Sequence, residues 1–402
     1  WTAVAGPGGI SMAELPRRLA EPLREIESLR RAAVPLDRLT ALTLHLVGTA
    51  LRADAIAMLH TDPATFLATE GVVEGFDPRA TTLFFGGIYL QRERVSFLDL
   101  RARGAVTSLL SEYTRGRLEQ EPRYVEVYGP YGIRHEVRAC LGTGDAYWGG
   151  LCIARAPDAR DFGTPELLFL RRSAPHLGEA LRQATRLLAA AASLDGSQPD
   201  AQGTPPPPAA FLVDNRRRVV AASRGADRVL DDVRVLRSDG AIGRPLPLAL
   251  QSAVAALERA RAPGVEGDVR PPELTLRGSS GRWWTVSALS PAPGSSPEVA
   301  AIVVVCPAGP EQKFARMAAM YGLTDQERRI VDLVARGFST DEIARRLHVA
   351  AYTVQDHLKS VFDKTDVRSR RALLACLFHT ESPLGRMFAG SRGPAASPPG
   401  RC

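Results

Sequence analysis

The sequence predicts a multidomain protein, with α+β domains in its N-terminal three quarters and an all-α four-helix domain near its C-terminus. Three observations support this fold class. Short alternating apolar segments joined by Gly- and Pro-containing turns occur between residues 55 and 306, which is typical of antiparallel strands. A Pro-rich segment interrupts the chain at residues 193–208. Two capping boxes, at Thr324 and Ser339, indicate successive short helices.

Composition places the chain among globular proteins. It has 402 residues, of which 45% are hydrophobic and 24% charged. Its longest apolar run, Ala300–Cys306, has the length of a strand, whereas a bilayer-spanning helix needs about 18 residues. The N-terminus shows no basic-then-apolar leader. We therefore expect a cytoplasmic protein without a membrane partner.

The basic residues are almost all arginine. The net charge is +7, yet the only lysines among 51 basic residues are Lys313, Lys359 and Lys364. A P-loop and a Schiff-base lysine are thereby excluded before residue 313. The five cysteines form no CxxC motif and have no His at metal spacing, so we interpret them as structural thiols. The sequence predicts no catalytic residues, no metal site and no cofactor.

Composition shifts divide the chain into domains. We predict a first domain with N-terminal helices at residues 12–192, the Pro-rich linker at 193–208 and a middle domain at 209–306. A helical domain follows at 314–382, and a Pro-, Gly- and Ser-rich tail at 390–402 is expected to be disordered.

The first domain alternates helices and strands. Helical spacing of apolar residues predicts helices over Met12–Ala32 and Asp37–Leu51. We also predict a strand at Ala55–His60, a hairpin at His135–Ala154 and a long helix that begins near Thr164. This order, closing with "DF…PEL", resembles a GAF domain over about residues 35–190. The resemblance implies a sensory fold with an antiparallel sheet of about six strands and helices on one side. The cyclic-nucleotide signature of that fold needs an Asn-Lys pair, and this domain has no lysine, so no ligand is implied.

The second half of the long helix carries a seam of apolar residues with two interpretations. The residues recur by four and three: Leu177, Leu181, Ala184, Leu188 and Ala191. They either pack on their own domain or pair with a second copy of the chain, and the sequence leaves both open.

The middle domain is predicted to begin strand, turn, strand, helix at residues 210–230 and to end with two strands at 282–304. This pattern resembles a PAS domain, another sensory fold. Trp283 and Trp284 are neighbours in a strand, so we expect one to be buried and the other exposed. The domain contains no His, and Cys306 lies at its end, so neither haem nor flavin is expected.

The C-terminal segment predicts a helix-turn-helix. Thr324 with Glu327 and Ser339 with Glu342 are the two capping boxes, and Gly337 ends the first helix. A tight turn at 348–350 then leads into a third helix, and a fourth spans residues 369–379. Two short helices at this spacing favour a motif whose second helix enters the DNA major groove.

The third helix has one apolar stripe and one polar face. The apolar stripe consists of Val354, Leu358, Val361 and Phe362, which recur at helical spacing. The polar face on the opposite side consists of Tyr352, Asp356, Lys359 and Asp363, with Gln355 beside them. Gln can pair with adenine, Asp can accept from cytosine, and Lys can donate to guanine or phosphate. The charge distribution also favours DNA binding, because residues 345–371 carry seven basic and three acidic groups. The basic candidates for phosphate contact are Arg345, Arg346, Lys364, Arg368, Arg370 and Arg371.

The segment 323–378 resembles the LuxR-type, or NarL-type, helix-turn-helix through "LT…E", "G.S..EIA..L", "TV..HLK..F.K" and "V..R". The resemblance implies a four-helix DNA-binding domain whose third helix reads the groove and whose fourth makes dimer contacts. The family's base or backbone contacts fall on Thr353, Gln355, Asp356 and Lys359, and its phosphate contacts near Lys364 and Arg370.

The sequence departs from the family pattern at three positions. Ala350 stands at the usual Ser N-cap, which costs roughly 1 kcal/mol of helix stability. Asp366 replaces the usual Gly and has to accept a left-handed conformation. Gln355 stands where the family often has Lys, so the family's base specificity does not transfer.

These features predict a DNA-binding transcriptional regulator with GAF-like and PAS-like sensory domains and no catalytic activity. Its expected partners are double-stranded promoter DNA, a second copy in a homodimer, RNA polymerase, and an unidentified small-molecule or protein signal. Two alternatives are a sigma-factor-like promoter recognition subunit and an enzyme with a DNA-binding tail.

Overall fold

The structure is a computed structural model. It describes residues 15–80, 95–143, 146–194, 207–233, 246–261 and 273–378, apart from residues 78, 216, 293, 295 and 297. The predicted tail at 390–402 and most of the Pro-rich linker lie outside the described residues. The chain divides into an N-terminal unit, Trp1–Ala308, and a C-terminal unit, Gly309–Cys402. No helix in the described ranges is long and apolar enough to cross a bilayer.

The first part of the N-terminal unit contains a mixed set of helices and strands. In order these are α1 (Arg17–Leu29), α2 (Leu36–Leu51), β1 (Ala55–Thr61), β2 (Ala68–Glu74), α3 (Phe97–Ala102), β3 (Thr107–Leu109), α4 (Leu110–Thr114), β4 (His135–Thr143), β5 (Ala146–Arg155) and α5 (Thr164–Leu194). The five described strands form one antiparallel sheet in the order β2-β1-β5-β4-β3. The predicted hairpin is the β4–β5 pair at its centre, formed because the two apolar strands are joined by a Gly-containing turn.

Helices α1, α2 and α5 pack on one another, and α2 and α5 also pack against this sheet. The hairpin residues Val137, Ala139 and Leu141 alternate along β4 and are completely buried. On α5, Leu177, Leu181 and Ala184 are buried within the unit, whereas Leu188 is exposed. Packing on its own domain therefore accounts for the first three residues of the predicted seam.

Side chains of the same unit cover part of the opposite face of the first sheet. Phe97 lies directly on Gly150, where an added Cβ atom would come within 2.7 Å of the ring. Beside it, the buried Glu136 carboxylate accepts hydrogen bonds from Arg138 Nε at 3.0 Å and from the hydroxyl of Tyr128. Burial alone would raise the pKa of Glu136, but the neighbouring guanidinium groups of Arg138 and Arg123 outweigh it, and the pKa is lowered. The negative charge of the buried Glu136 is thereby compensated by two neighbouring guanidinium groups.

The thiols of this sheet are structural in their setting. Cys140 and Cys152 are both buried on the same face as Glu136. Burial is the largest influence on Cys140 and raises the pKa of its thiol to about 12. A thiol with so high a pKa is almost entirely protonated at neutral pH and therefore a poor nucleophile.

The second part of the N-terminal unit repeats the strand order of the first. Its elements are β6 (Ala209–Val213), β7 (Val219–Ala222), α6 (Ala226–Asp232), α7 (Leu248–Ala260), β8 (Leu274–Arg277), β9 (Trp283–Leu289) and β10 (Ala301–Pro307). The described strands form an antiparallel sheet in the order β7-β6-β10-β9-β8, so the last strand lies at the centre.

Helix α7 lies between the two sheets. All ten residues from Leu248 to Leu257 are buried, and a helix that is buried on every side has to be packed from both sides. Its neighbours are β9 and β10 of its own sheet and β2 of the first sheet. Across the same boundary, the buried Asp62 carboxylate accepts the amide N–H of Thr275 at 2.8 Å. The two sheets therefore share one continuous hydrophobic core.

The expectation for the tryptophan pair was wrong. Trp283 is 8% exposed and Trp284 only 2%, although the two side chains point to opposite faces of β9. The indole Nε1 of Trp284 donates to Asp232 Oδ2 at 2.6 Å, so its polar group is satisfied in the core. Thr285 is buried as well, so β9 is covered on both faces here.

The C-terminal unit is all-α. Its described helices are α8 (Pro310–Met320), α9 (Asp325–Ala335), α10 (Thr340–Leu347), α11 (Ala351–Thr365) and α12 (Arg370–Phe378). The last four are the predicted helices, and α8 is an addition that the sequence did not predict. The α+β class of the N-terminal part and the all-α class of the C-terminal part are both confirmed, whereas the individual domain boundaries stay predictions.

Candidate nucleic-acid interface

Both predicted capping boxes form and define the helix-turn-helix. The amide of Thr324 donates to Glu327 Oε2 at 2.7 Å, and the amide of Glu327 donates back to Thr324 Oγ1 at 3.3 Å. At α10 the corresponding distances are 2.8 Å and 3.4 Å for Ser339 and Glu342. Each box satisfies amide groups that have no partner inside the helix, and so fixes the start of α9 and of α10.

A tight turn separates α10 from α11. His348 adopts a left-handed conformation with φ of 54°, and the amide of Val349 donates to the carbonyl of Ala344 at 3.0 Å. Helix α11 then begins at Ala351, and its N-cap residue, Ala350, provides no side-chain cap, as the missing Ser predicted. At its other end, Asp366 adopts the expected left-handed conformation with φ of 54°.

The apolar stripe of α11 packs on the two preceding helices. Val354 and Val361 are completely buried, and Leu358 is 5% exposed. Val354 and Leu358 form a compact cluster with core residues of α9 and α10: Ile330, Val334, Ile343 and Ala344. This contact fixes which side of α11 faces outward.

The outward face of α11 presents the predicted groove-reading residues to solvent. Tyr352 is 70% exposed, the largest value among the exposed large hydrophobic residues that the structure describes. Gln355, Asp356 and Lys359 are exposed as well, and Thr353 is half-buried in the first turn. These five side chains lie along one side of a single helix, which is the geometry that contact with base edges requires.

Lys364 lies at the C-terminal end of α11 and is joined to α9. Its Nζ donates to Glu327 Oε2 at 2.6 Å and to Oε1 at 2.9 Å, and its side chain is 32% exposed. Ser360 Oγ donates to the same carboxylate at 2.7 Å. Glu327 therefore caps α9 and holds α11 through two residues, using one buried carboxylate.

The charge of Glu327 is maintained by these contacts. Burial by itself would raise the pKa of Glu327, but the bonds from Lys364, from the Thr324 amide and from Ser360 outweigh burial, so the pKa is lowered from 4.5. Glu327 is therefore ionised at neutral pH, as the pair with Lys364 requires.

Arg370 also has contacts within the unit. Its Nη1 donates to the carbonyl of Phe338 at 3.2 Å and its Nη2 to Thr340 Oγ1 at 2.8 Å. These bonds tie the start of α12 to the turn between α9 and α10. Phosphate contact by Lys364 and Arg370 stays a prediction, and each side chain carries further N–H groups that could donate.

The remaining basic candidates surround the helix-turn-helix. Arg345, Arg346, Arg368 and Arg371 are exposed. The guanidinium of Arg346 lies 4.0 Å from the centre of the Phe338 ring, a cation–π contact that orients it. Positive charge is thus available beside both ends of α11.

Two functional features were missed by the sequence reasoning. The capping role of Glu327 was visible, but its bonds to Ser360 and Lys364, more than 30 residues away, had no local signal. Helix α8 was not predicted, because it begins in the Pro- and Gly-containing segment 307–313, between the predicted middle domain and the predicted helical domain. Pro at the first position of α8 is a helix-start signal that could have indicated it.

Comparison with known proteins assigns this region. Residues 322–377 match the model of the GerE family, described as bacterial regulatory proteins of the luxR family. A curated relative, the monoamine regulon transcriptional regulator of Klebsiella aerogenes, is 43% identical over 53 residues. That alignment covers 13% of this chain and 23% of the relative, so the chain spans less than a quarter of the length of the relative it matches.

Solved structures resemble the chain more loosely. The GAF domain of a phosphoenolpyruvate-protein phosphotransferase from Acinetobacter aligns with a TM-score of 0.31 and 15% identity, covering 43% of this chain and 98% of that domain. SdiA of Escherichia coli aligns with a TM-score of 0.30 and 11% identity, covering 90% of this chain and 99% of SdiA. Likenesses at this level assign no function.

Proposed function

We propose that the whole chain is a transcriptional regulator that binds promoter DNA through its helix-turn-helix domain, residues 322–377, which match the luxR family of bacterial regulatory proteins. The observation that carries the proposal is the outward face of α11, where Tyr352, Gln355, Asp356 and Lys359 are exposed on one side. The opposite side is anchored by buried Val354 and the cluster around it.

The exposed side chains suggest a division of roles in the groove. Gln355 can donate and accept at once and so pair with the edge of adenine, while Asp356 can accept from the amino group of cytosine. Lys359 can donate to guanine or to a phosphate oxygen. Tyr352 and Thr353, in the first turn of α11, can contact a thymine methyl group or the backbone.

Phosphate contacts are proposed for the basic groups around α11. The exposed Arg345, Arg346, Arg368 and Arg371 can reach the DNA backbone, where each neutralised phosphate releases counterions and adds salt-dependent affinity. Lys364 and Arg370 combine such a contact with the internal bonds that position α11 and α12.

We further propose a cytoplasmic homodimer that carries out no catalysis. Its N-terminal unit would receive a small-molecule or protein signal and alter promoter binding, with RNA polymerase as the downstream partner. The family match favours this regulator over the sigma-factor alternative.

The proposal is tested by titrating the full-length protein against two duplexes at several salt concentrations. One is a duplex selected by the wild-type protein from a random-sequence library, and the other has random sequence. Gln355→Ala is expected to lose about 1–3 kcal/mol of binding at one base position and to relax specificity there. Lys359→Ala, if it loses mainly a phosphate contact, weakens binding to all sequences and lowers the salt slope by about one.

Two variants serve as controls. Lys313→Ala removes the same side chain from α8 and is expected to leave discrimination between the duplexes unchanged. Val354→Asp places a charge in the buried cluster and is expected to unfold the C-terminal unit rather than alter specificity. If Gln355→Ala and Lys359→Ala remain folded and bind the selected duplex as wild type does, α11 is not the groove-reading helix.

A further inference from the structure

Phe338 lies in the turn between α9 and α10, two residues before the first residue of α10. Its half-buried ring packs against the compact apolar cluster of α9, α10 and α11. Its amide donates to the carbonyl of Leu333 on α9 at 3.1 Å. Both the side chain and the main chain of Phe338 are therefore held by the packing of the C-terminal unit.

Helix α12 secures the same turn from another direction. Arg370 Nη1 donates to the carbonyl of Phe338 at 3.2 Å, and its Nη2 donates to Thr340 Oγ1 at 2.8 Å. Because the turn is bonded on both sides of Ser339, the backbone that carries the Phe338 ring cannot shift without breaking these contacts. The ring is thus a fixed aromatic platform.

The Phe338 platform carries the guanidinium of Arg346, which lies 4.0 Å from the centre of the ring. Arg346 belongs to the last turn of α10 and is exposed. A guanidinium that stacks on a ring uses its face, so the N–H groups at its edge stay available to donate. Arg346 is therefore held in one orientation while it keeps its donors.

The acidic residue best spaced to pair with Arg346 is engaged elsewhere. Glu342 lies four positions earlier on α10, a spacing at which opposite charges often pair. Its Oε2 instead accepts from the amide of Ser339 at 2.8 Å and from the Ser339 hydroxyl at 2.7 Å. No salt bridge joins Arg346 to an acidic residue in the described part of the chain. Its charge is stacked and exposed, and it is open to an anion.

The neighbouring Arg345 shows what the ring adds. It is also exposed in the last turn of α10, and its Nε donates to the carbonyl of Asp341 at a long 3.4 Å. Both arginines lie at the same helix C-terminus, whose partial negative charge favours cations. Stacking on Phe338 is therefore a difference between two adjacent side chains of the same type.

We propose that Phe338 is a positioning residue, which holds the guanidinium of Arg346 in place for a phosphate oxygen of the DNA backbone. In helix-turn-helix complexes the helix before the reading helix crosses the backbone, and Arg346 lies near the end of that helix. A side chain that is ordered before binding loses less conformational entropy on binding, so its contact is stronger. This inference rests on the proposed function, because it assigns a further residue to the same interface.

The test measures binding of the full-length protein to the selected and random duplexes at several salt concentrations. Phe338→Leu keeps an apolar side chain on the cluster but removes the ring, and is expected to weaken binding to both duplexes about two- to fivefold, the range of an exposed cation–π contact. Arg346→Ala is expected to weaken binding to both duplexes and to lower the salt slope by about one. Phe338→Tyr retains the ring and is expected to bind as wild type does.

The decisive measurement repeats Phe338→Leu in two arginine backgrounds. In an Arg346→Ala protein the loss of the ring is expected to weaken binding by less than about 1.5-fold, because the side chain that it positions is gone. In an Arg345→Ala protein the full two- to fivefold loss is expected to persist. Circular dichroism verifies that each variant is folded.

Equal losses from Phe338→Leu in the wild-type and Arg346→Ala backgrounds would show that the ring acts only through the structure of the unit, and would overturn the inference. An unchanged salt slope in Arg346→Ala would do the same. If Phe338→Leu does not fold, Arg346→Lys decides, since it keeps the charge but gives up the planar stacking group, and wild-type binding by that variant would refute the positioning role. Failure of the wild-type protein to prefer its selected duplex would instead refute the proposed function.

Discussion

Replacing Glu327 by Gln is expected to loosen the groove-reading helix while leaving the unit folded. The side chain keeps its shape, but it can no longer offer a negative charge to Lys364. In the same position, the amide oxygen of glutamine can still accept from the Thr324 amide, and its amide nitrogen can donate to Ser360 Oγ. The pair with Lys364 is the contact that the substitution weakens most.

The magnitude follows from the bonds that change. Lys364 Nζ now contacts both carboxylate oxygens, at 2.6 Å and 2.9 Å, and its side chain is 32% exposed, so solvent screens part of the pair. We therefore expect a loss of about 1–2 kcal/mol for Glu327→Gln. Glu327→Ala also removes the cap of α9 and the Ser360 bond, and we expect a loss of about 3–4 kcal/mol.

Hydrogen exchange followed by mass spectrometry is the suitable assay, because it reports on α9 and α11 separately from the large N-terminal unit. The Gln variant is expected to exchange about tenfold faster in α11, since about 1.4 kcal/mol corresponds to a factor of ten. A double-mutant cycle with Lys364→Met isolates the pair. Additive effects in that cycle, or unchanged exchange in the Gln variant, would show that Glu327 does not hold α11.

The same carboxylate predicts a pH dependence. Its pKa is lower in the folded unit than its ordinary value of 4.5, so its contribution to stability is present above that value. The contribution is lost as pH falls through the lowered folded pKa. Protection of α11 in the wild-type protein should therefore fall below about pH 4.5, and the Gln variant should lack this component.

Three further substitutions test local features. Ala350→Ser supplies the missing N-cap of α11 and should raise the stability of the C-terminal unit by about 1 kcal/mol, seen as a higher calorimetric midpoint. Asp366→Gly relieves the left-handed conformation after α11 and should add about 0.5–1 kcal/mol in the same measurement; a lower midpoint would contradict the strain argument. Asp62→Ala leaves the buried amide of Thr275 without this acceptor and should cost about 1–3 kcal/mol, with faster exchange in β8 and α7; Asp62→Asn, which keeps an acceptor oxygen, should lose less.

Local signals in the sequence were sufficient for the helix-turn-helix. Capping boxes at Thr324 and Ser339, the stop at Gly337 and the stripe around Val354 each depend on residues three or four positions apart. Such neighbours meet whenever the helix forms, so their pattern determines the ends of α9 and α10 and the buried side of α11. The same reasoning predicted the hairpin β4–β5, whereas the left-handed conformation of Asp366 was implied by the family resemblance.

Contacts between distant segments were decided only by the tertiary structure. Burial of both Trp283 and Trp284, the position of α7 between two sheets, and the bond from Asp62 to Thr275 depend on segments far apart in the chain. Alternation states which face a strand residue takes, but not what covers that face.

The candidate site also combines features that local sequence patterns predicted with features that only the tertiary structure determined. Exposure of Tyr352, Gln355 and Lys359 followed from helical periodicity alone. The inward bonds of Lys364 and Arg370 did not, because a long basic side chain can reach a phosphate or an internal partner from the same backbone position. Periodicity determines the direction in which a side chain leaves the helix; which partner it meets depends on how the helices pack around it.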